Sequence, residues 1–357
     1  MKLRLKIISV LALILFFIGC NGDNAYDGEN GLKSGEFTSD IESSLSFIYA
    51  LLQEDANQTY TQAQELAVLL EDVNNSVADL QNAQEKFLEL VSSYKKVEAL
   101  YVADEYENIM QDPPRYLEYF HSITNSELVA ELDLILSGSD PIADALAVKN
   151  LYRSITALEY ILFGVNEEQT TLLASFDERR TQAAIIMAQN IAANLQTINE
   201  FYEQNSAFLE DSDSAISVVV NQLVDSAYKT KEWRVGDGAG FTLKYKDNPD
   251  AARLEYYNSR YSLEAIDSIL AAHQELMDSG FKELAIIGGA TSEAEAIESK
   301  LVELRTICAG IEGSLSDSLT DEKVYTLYVD LNALQNNYTA LINALNFTQD
   351  IIEADGD

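Results

Sequence analysis

Few residues in this chain are equipped for catalysis, and their spacing closes most routes. It carries two His and two Cys against 59 Asp and Glu. His121 and His273 lie far apart in sequence, and no His-Glu-x-x-His pair is present to hold zinc on one helix face. Each could act as a base, but a lone His in a helical chain is more often a surface or core-edge residue. A Cys/His zinc site needs about four such ligands, and here the whole supply is scattered along the chain. No Gly-x-Ser-x-Gly elbow supports an α/β-hydrolase. Gly236-Asp-Gly238-Ala-Gly240 resembles a nucleotide loop only superficially. It lacks the preceding strand, the following helix and the Lys-Ser/Thr pair, and reads as a flexible turn. Cys308 falls on the apolar face of Leu301-Val-Glu-Leu-Arg-Thr-Ile-Cys308, which suits a buried structural thiol rather than a nucleophile. Carboxylates are so numerous that helical spacing between them says little, because most belong to solvated faces.

Composition removes further classes. The formal charge is −36 over 357 residues, so phosphate backbones are repelled and nucleic acid is excluded as a partner. Two Cys cannot make a disulfide scaffold. A hydrophobic share of 47% is ordinary for globular proteins and too high for a disordered acidic tail. The first 19 residues read as a signal peptide: Lys2, Arg4 and Lys6, then an apolar run from Ile7 to Ile18. That run is shorter than the roughly 20 residues of a spanning helix. Phe17-Ile18-Gly19-Cys20 resembles the bacterial lipobox, which implies cleavage before Cys20 and lipidation of Cys20. Asn21 follows it, where Asp would favour inner-membrane retention, so an outer-membrane lipoprotein is expected. Residues 20–36 read as the lipidated Cys and a flexible Gly/Asn/Asp-rich tether. The acidic body gives no reason to adhere to anionic lipid, so attachment would rest on Cys20.

The elements that must position any site are helices. No Gly occurs between Gly35 and Gly138 or between Gly164 and Gly236, and the four Pro are Pro113, Pro114, Pro141 and Pro249. Val324, Tyr328, Leu331, Leu334, Tyr338, Leu341 and Leu345 step by three and four, as one helix face does. Eight substantial helices are expected at 38–53, 58–77, 79–105, 142–163, 176–205, 212–232, 255–278 and 292–311, and a long last one at 321–353. Weak helices are expected within 114–137, a capping box at Ser292–Glu295, and one short extended piece at Phe241–Tyr245. The polar stretch 206–214 marks a seam. The expected fold is all-α, two packed bundles of about four long helices each, at 37–208 and 209–357.

Several segments together resemble the imelysin family, bacterial envelope proteins described as metallopeptidases and linked to iron uptake. The family's Gly-x-His-x-x-Glu motif corresponds to Ser154-Ile-Thr156-Ala-Leu-Glu159, followed by a matching Tyr-Ile-Leu-Phe163-Gly164. Ser154 stands for the Gly and Thr156 for the His. Arg179 and Arg180 match a paired Arg at the start of a long helix. Glu255-Tyr-Tyr-Asn-Ser259-Arg-Tyr-Ser262 matches a Glu-x-x-x-Ser-x-x-Ser block, with Gly236–Gly240 resembling the Gly segment upstream. Phe87, Tyr94 and Glu98 lie where the family has Trp, Tyr and Glu, while Val91 and Tyr101 stand where it has Arg.

The resemblance implies a site from Glu98, Thr156, Glu159, Arg179, Arg180, Glu255, Ser259 and Ser262. A His and a Glu at i and i+3 share a helix face and can reach one cation. Thr156 is a weak neutral ligand and no base near neutral pH. Metal binding would then fall to Glu159, Glu98 and Glu255, an all-oxygen set suited to iron(III), calcium or manganese. The alternative is a buried structural Glu159, paired with Arg179, Arg180 or Arg153 or hydrogen-bonded to Ser259, Ser262 or Thr156. Three functions follow: a non-catalytic lipoprotein binding iron or an iron carrier between the bundles, with iron-uptake proteins as partners; a metal-dependent peptidase; or a scaffold docking a protein in the groove. The first is favoured, because the motif His is missing.

Overall fold

A computed structural model describes residues 38–165 and 167–349. The signal peptide, Cys20 and the tether lie outside the described residues. Every regular element among the described residues is helical. Nine longer helices carry the architecture: α1 Thr38–Leu69, α2 Val77–Ala99, α3 Asn125–Ser137, α4 Ile155–Phe163, α5 Glu178–Gln204, α6 Ser212–Lys229, α7 Ser262–Leu276, α8 Thr291–Gly310 and α9 Glu322–Ala344.

Polar caps set many of the starts. Ser76, Ser154, Asp177, Asp211 and Asp321 each accept a backbone N–H of the helix they precede. Thr124 and Glu127 form a reciprocal capping box at α3. The box expected at Ser292–Glu295 does not form. Ala290 is buried and closes the preceding turn through its N–H to Ala285, so α8 starts at Thr291 and Ser292 already lies inside it.

Other boundaries moved as well. α1 runs unbroken through the gap expected at 54–57. Leu52, Ala56, Thr59, Ala63 and Leu66 keep one buried stripe, and Thr59 donates to the Asp55 carbonyl. The helix expected over 255–278 begins only at Ser262, because Tyr256 and Arg260 have positive φ, which helices do not accommodate. The piece 142–163 is three helical segments, since Ser154 is extended and caps α4. The last helix ends at Ala344. The extended piece at Phe241–Tyr245 is a run of turns.

α1 packs on α2 and α5, and α4 packs on α5 and α2. α9 packs on α6 and α8. α7 lies between these groups, against α2 on one side and α8 on the other. One continuous cluster of buried hydrophobic side chains runs through all of them. At the expected seam, Phe208 is buried and stacks on Tyr49 of α1 at 5.5 Å. Just after α7, Gly280 has φ +112° and lies against the Ser44 backbone of α1; a side chain there would start 3.0 Å from the Ser44 Cα.

Candidate functional site

The polar centre of the molecule lies where α2, α4, the 117–120 segment, the end of the α6 extension and the 255–261 loop meet. α6 continues past Lys229 into a π-helical turn, Thr230–Gly236, a local widening common at functional sites. This turn carries Arg234 inward. Lys95 on α2 is fully buried, as is Glu159 on α4. Glu255 is 3% exposed.

Two cations and two carboxylates form a closed knot. Lys95 donates to Glu98 Oε2 at 2.7 Å and to Glu255 Oε1. Arg234 donates through Nε to Glu255 Oε2 at 2.7 Å and through Nη2 to both Glu98 oxygens at 2.8 Å. Burial alone would raise Glu98, but Arg234 and Lys95 outweigh it and hold the carboxyl at about 2. Burial would likewise lower Lys95 and Arg234, and the carboxylates raise both.

The neighbouring carboxylates lack that compensation. Glu159 Oε1 accepts the backbone N–H of Ser259 at 2.8 Å and its hydroxyl at 2.7 Å. Its Oε2 is buried without a hydrogen-bond partner. Burial, reinforced by the Glu118 and Glu255 charges and opposed by the Ser259 donors, raises Glu159 to about 7. Glu118 Oε1 accepts the Thr156 hydroxyl and the amides of Tyr119 and Phe120 at 2.9 and 3.0 Å. Its Oε2 accepts the Tyr256 hydroxyl at 3.1 Å and lies 3.9 Å from Lys95. Burial, only partly offset by Lys95, raises Glu118 too. These four carboxylates face two cations, so the cluster carries surplus acid.

The 255–261 loop ties the two parts together. Glu255 meets the cations, Tyr256 meets Glu118 and Ser259 meets Glu159. The left-handed Tyr256 and Arg260 bracket Ser259. A non-Gly residue in that conformation costs roughly 1–2 kcal/mol, which the surrounding hydrogen bonds must offset.

Several expected roles are corrected. Arg179 and Arg180 do not reach Glu159. Arg179 donates to the carbonyls of Ile135 and Asp140, which closes the end of α3. Arg180 donates to the carbonyls of Tyr160 and Ile161 and stacks on Phe176, so it holds the end of the site helix α4. Ser262 donates to the Glu255 carbonyl, not to Glu159. Thr156 turns to Glu118. Arg153 donates to Asn150. Glu98 and Glu255 converge on Lys95 and Arg234 rather than with Glu159 on a cation-binding point. No group of three His, Cys, Asp or Glu among the described residues is arranged to hold a metal ion. The all-oxygen set therefore does not fit a bare metal ion.

Sequence reasoning missed Lys95, Glu118, Arg234 and Tyr256. Lys95 precedes Glu98 by one helical turn, and Tyr256 lies inside the Glu255–Ser262 block; both signals were legible. Glu118 and Arg234 carried none. Phe87 and Tyr94 are buried under the site, with Phe87 5.8 Å from the Phe163 ring. Val91 is core, and Tyr101 donates to the Met110 carbonyl at 2.6 Å. Gly236–Gly240 is the packed helical end of the α6 extension, not a flexible turn. A side chain at Gly238 would start 2.4 Å from Leu254 Cδ2. His273 is buried between Ser226 and Tyr338 and burial lowers it to about 3. Burial pushes the Cys308 thiol up to about 12.

Comparison with known proteins bears on the family and the fold. The family model named for peptidase M75 and described as imelysin matches residues 48–345. An imelysin-like protein from Psychrobacter arcticum 273-4 has a similar fold, with TM-score 0.69 and 18% identity, over 88% of this chain and 98% of that one. So does a protein from Parabacteroides distasonis ATCC 8503 named "putative iron-regulated protein A precursor", with TM-score 0.66 and 13% identity, over 87% and 95% of the two chains. A search of the curated proteins returned no match.

Proposed function

The chain belongs to the imelysin family, and from that premise we propose that it is an envelope lipoprotein that binds an iron carrier or another cation-bearing ligand without catalysis. Lipid on Cys20 holds it to the outer membrane, and iron-uptake proteins are its partners. One observation carries the reading: Glu159 Oε2 is buried with no partner, in a cluster with more carboxylates than cations. A buried polar atom left unsatisfied costs about 1–3 kcal/mol. A cationic group or N–H donor delivered there by a ligand removes that cost. The reading favours a carrier over a bare ion, since Lys95 and Arg234 already occupy the other carboxylates. The name of the Parabacteroides distasonis protein supports iron as the context. Access to Glu159 requires displacement of the 255–261 loop.

Calorimetric titration of the mature chain with a ferric trihydroxamate that bears a free ammonium group, against iron(II), calcium and manganese as bare ions, tests it. Micromolar binding of the ferric carrier and not of the bare ions, lost in Glu159→Gln, is the expected result. Flat curves for both proteins would sink the proposal.

A second reading, hydrolysis, draws on the elevated Glu159, whose position near 7 suits a general base. It requires chelator-sensitive cleavage of casein or insulin by the pure protein. Intact substrate after prolonged incubation would argue against it.

A further inference from the structure

The loop that covers Glu159 has a pinned base and a lightly held tip. Glu255 lies in the knot with Lys95 and Arg234, and the Tyr256 hydroxyl donates to Glu118 Oε2. The base is closed across the loop. The Tyr261 N–H donates to the Tyr256 carbonyl at 3.1 Å, and the Ser262 hydroxyl donates to the Glu255 carbonyl. Ser92 of α2 holds Tyr261 as well, hydroxyl to hydroxyl at 2.8 Å. Residues 257–260 project beyond this base. Their hydrogen bonds to the rest of the protein, among the described residues, go to two places. On the inner side, Ser259 donates its N–H and its hydroxyl to Glu159 Oε1. On the outer side, Arg260 Nη2 donates to Ser314 Oγ at 3.0 Å and to Asp317 Oδ2, in the turn before α9; the Arg260 and Asp317 side chains are both exposed.

The closed tip is held against opposing costs. Tyr256 and Arg260, at its two ends, have φ +54° and +61°, a region that side chains disfavour. Two buried acceptors, Glu159 Oε2 beneath the tip and Asn258 Oδ1 within it, have no hydrogen-bond partner. An outward swing wets both and lets both left-handed residues relax. The Ser259 donors oppose it, together with an exposed ion pair, which holds weakly. Tyr261 and Gly313, the chain neighbours of Arg260 and Ser314, line a groove of about 830 Å³ between α7 and α8, so a displaced tip has open space beside it. We propose that residues 257–260 form a gate over Glu159, turning on the left-handed Tyr256 and Arg260 and latched from outside by Arg260 on Ser314 and Asp317. The gate rests on the reading of Glu159 as the ligand's contact. It lets a ligand reach that carboxylate without breaking the knot of Lys95, Arg234, Glu98 and Glu255.

Amide hydrogen exchange on the full mature chain, read residue by residue by NMR with no ligand added, tests it. The amides of Ser259, of Tyr261 at the base and of Leu158 in α4 are all hydrogen-bonded. Local opening of the tip should leave Ser259 roughly tenfold or more less protected than the other two. Asp317→Ala should lower Ser259 protection by a further factor of about two to five, the range of an exposed ion pair, and leave Tyr261 and Leu158 unchanged. Asp317→Glu keeps the charge and should restore most of that protection. Ser259 as protected as Tyr261, no effect of Asp317→Ala on Ser259, or an equal loss at Tyr261 would overturn the gate. The exchange result stands apart from the ligand: flat calorimetric curves sink the carrier reading and leave it untouched. Carrier binding by a chain whose Ser259 amide is as protected as Tyr261 would overturn the gate alone.

Discussion

Glu98 and Glu159 are the same residue type, on helices of one core, a few side chains apart, and their carboxyls are driven in opposite directions. Glu98 sits in the knot with Lys95 and Arg234 and is held at about 2. Glu159 has only the Ser259 donors and two acidic neighbours, and rises to about 7. Burial acts on both, less on Glu98, whose side chain is 27% exposed, than on the fully buried Glu159. The difference is who supplies the positive charge. Desolvation of a carboxylate is countered by two cations at hydrogen-bond distance and not by two neutral donors. The knot is a closed structural joint between α2, the α6 extension and the 255–261 loop. The Glu159 side is left with spare bonding capacity.

The two regions also contribute to stability in opposite pH windows. For Glu98, whose folded value lies below its ordinary 4.5, the contribution is present above about 4.5 and is lost as pH falls toward 2. For Glu159, whose folded value lies above 4.5, the contribution is present below about 4.5 and is lost as pH rises through 7.

The hardest way to break the comparison is to remove a cation from the knot. Lys95→Met leaves Glu98 and Glu255 to share Arg234 and should cost about 3–5 kcal/mol in urea unfolding at pH 7. A loss under 1 kcal/mol would mean that the knot is not what compensates these acids. Glu159→Gln comes next. Its unfolding free energy, measured against the unchanged chain from pH 4.5 to 8, should shift in the variant's favour by about 3 kcal/mol, the free-energy equivalent of the rise in Glu159. A difference that stays flat with pH would show that Glu159 takes up no extra proton on folding. The smallest effect sharpens the contrast. Ser259→Ala removes one of the two donors to Glu159, costs about 1 kcal/mol, and should move the Glu159 titration above 7. A carbon-detected NMR titration of the Glu carboxyls reads it directly, and a downward move would contradict the assigned role of Ser259.

Much of the helical layout was open to reading, because its signals are local. Steps of three and four along Val324–Leu345 define α9 whatever packs against it. Boundaries failed where a distant contact overrode the local pattern. Tyr256 and Arg260 hold left-handed conformations because their loop binds Glu118 and Glu159, and that delays α7 to Ser262. Ser292 looked like a cap, but burial of Ala290 starts α8 before it. At the site, Glu98, Thr156, Glu159, Glu255, Ser259 and Ser262 were legible from motif resemblance. Their pairings were not. The family resemblance offers Arg179 and Arg180 as partners for Glu159, yet carbonyls at the ends of α3 and α4 need donors and take them.

The sequence by itself determined that this chain is helical, strongly acidic and short of His and Cys, because composition and periodicity act over a few residues. Through the family resemblance it also singled out Glu98, Glu159 and Glu255. Only the tertiary structure decided which acids are neutralised. Lys95, Arg234 and Glu255 come from three distant segments, and a Coulomb interaction depends on separation in space and on excluded water, not on position in the chain.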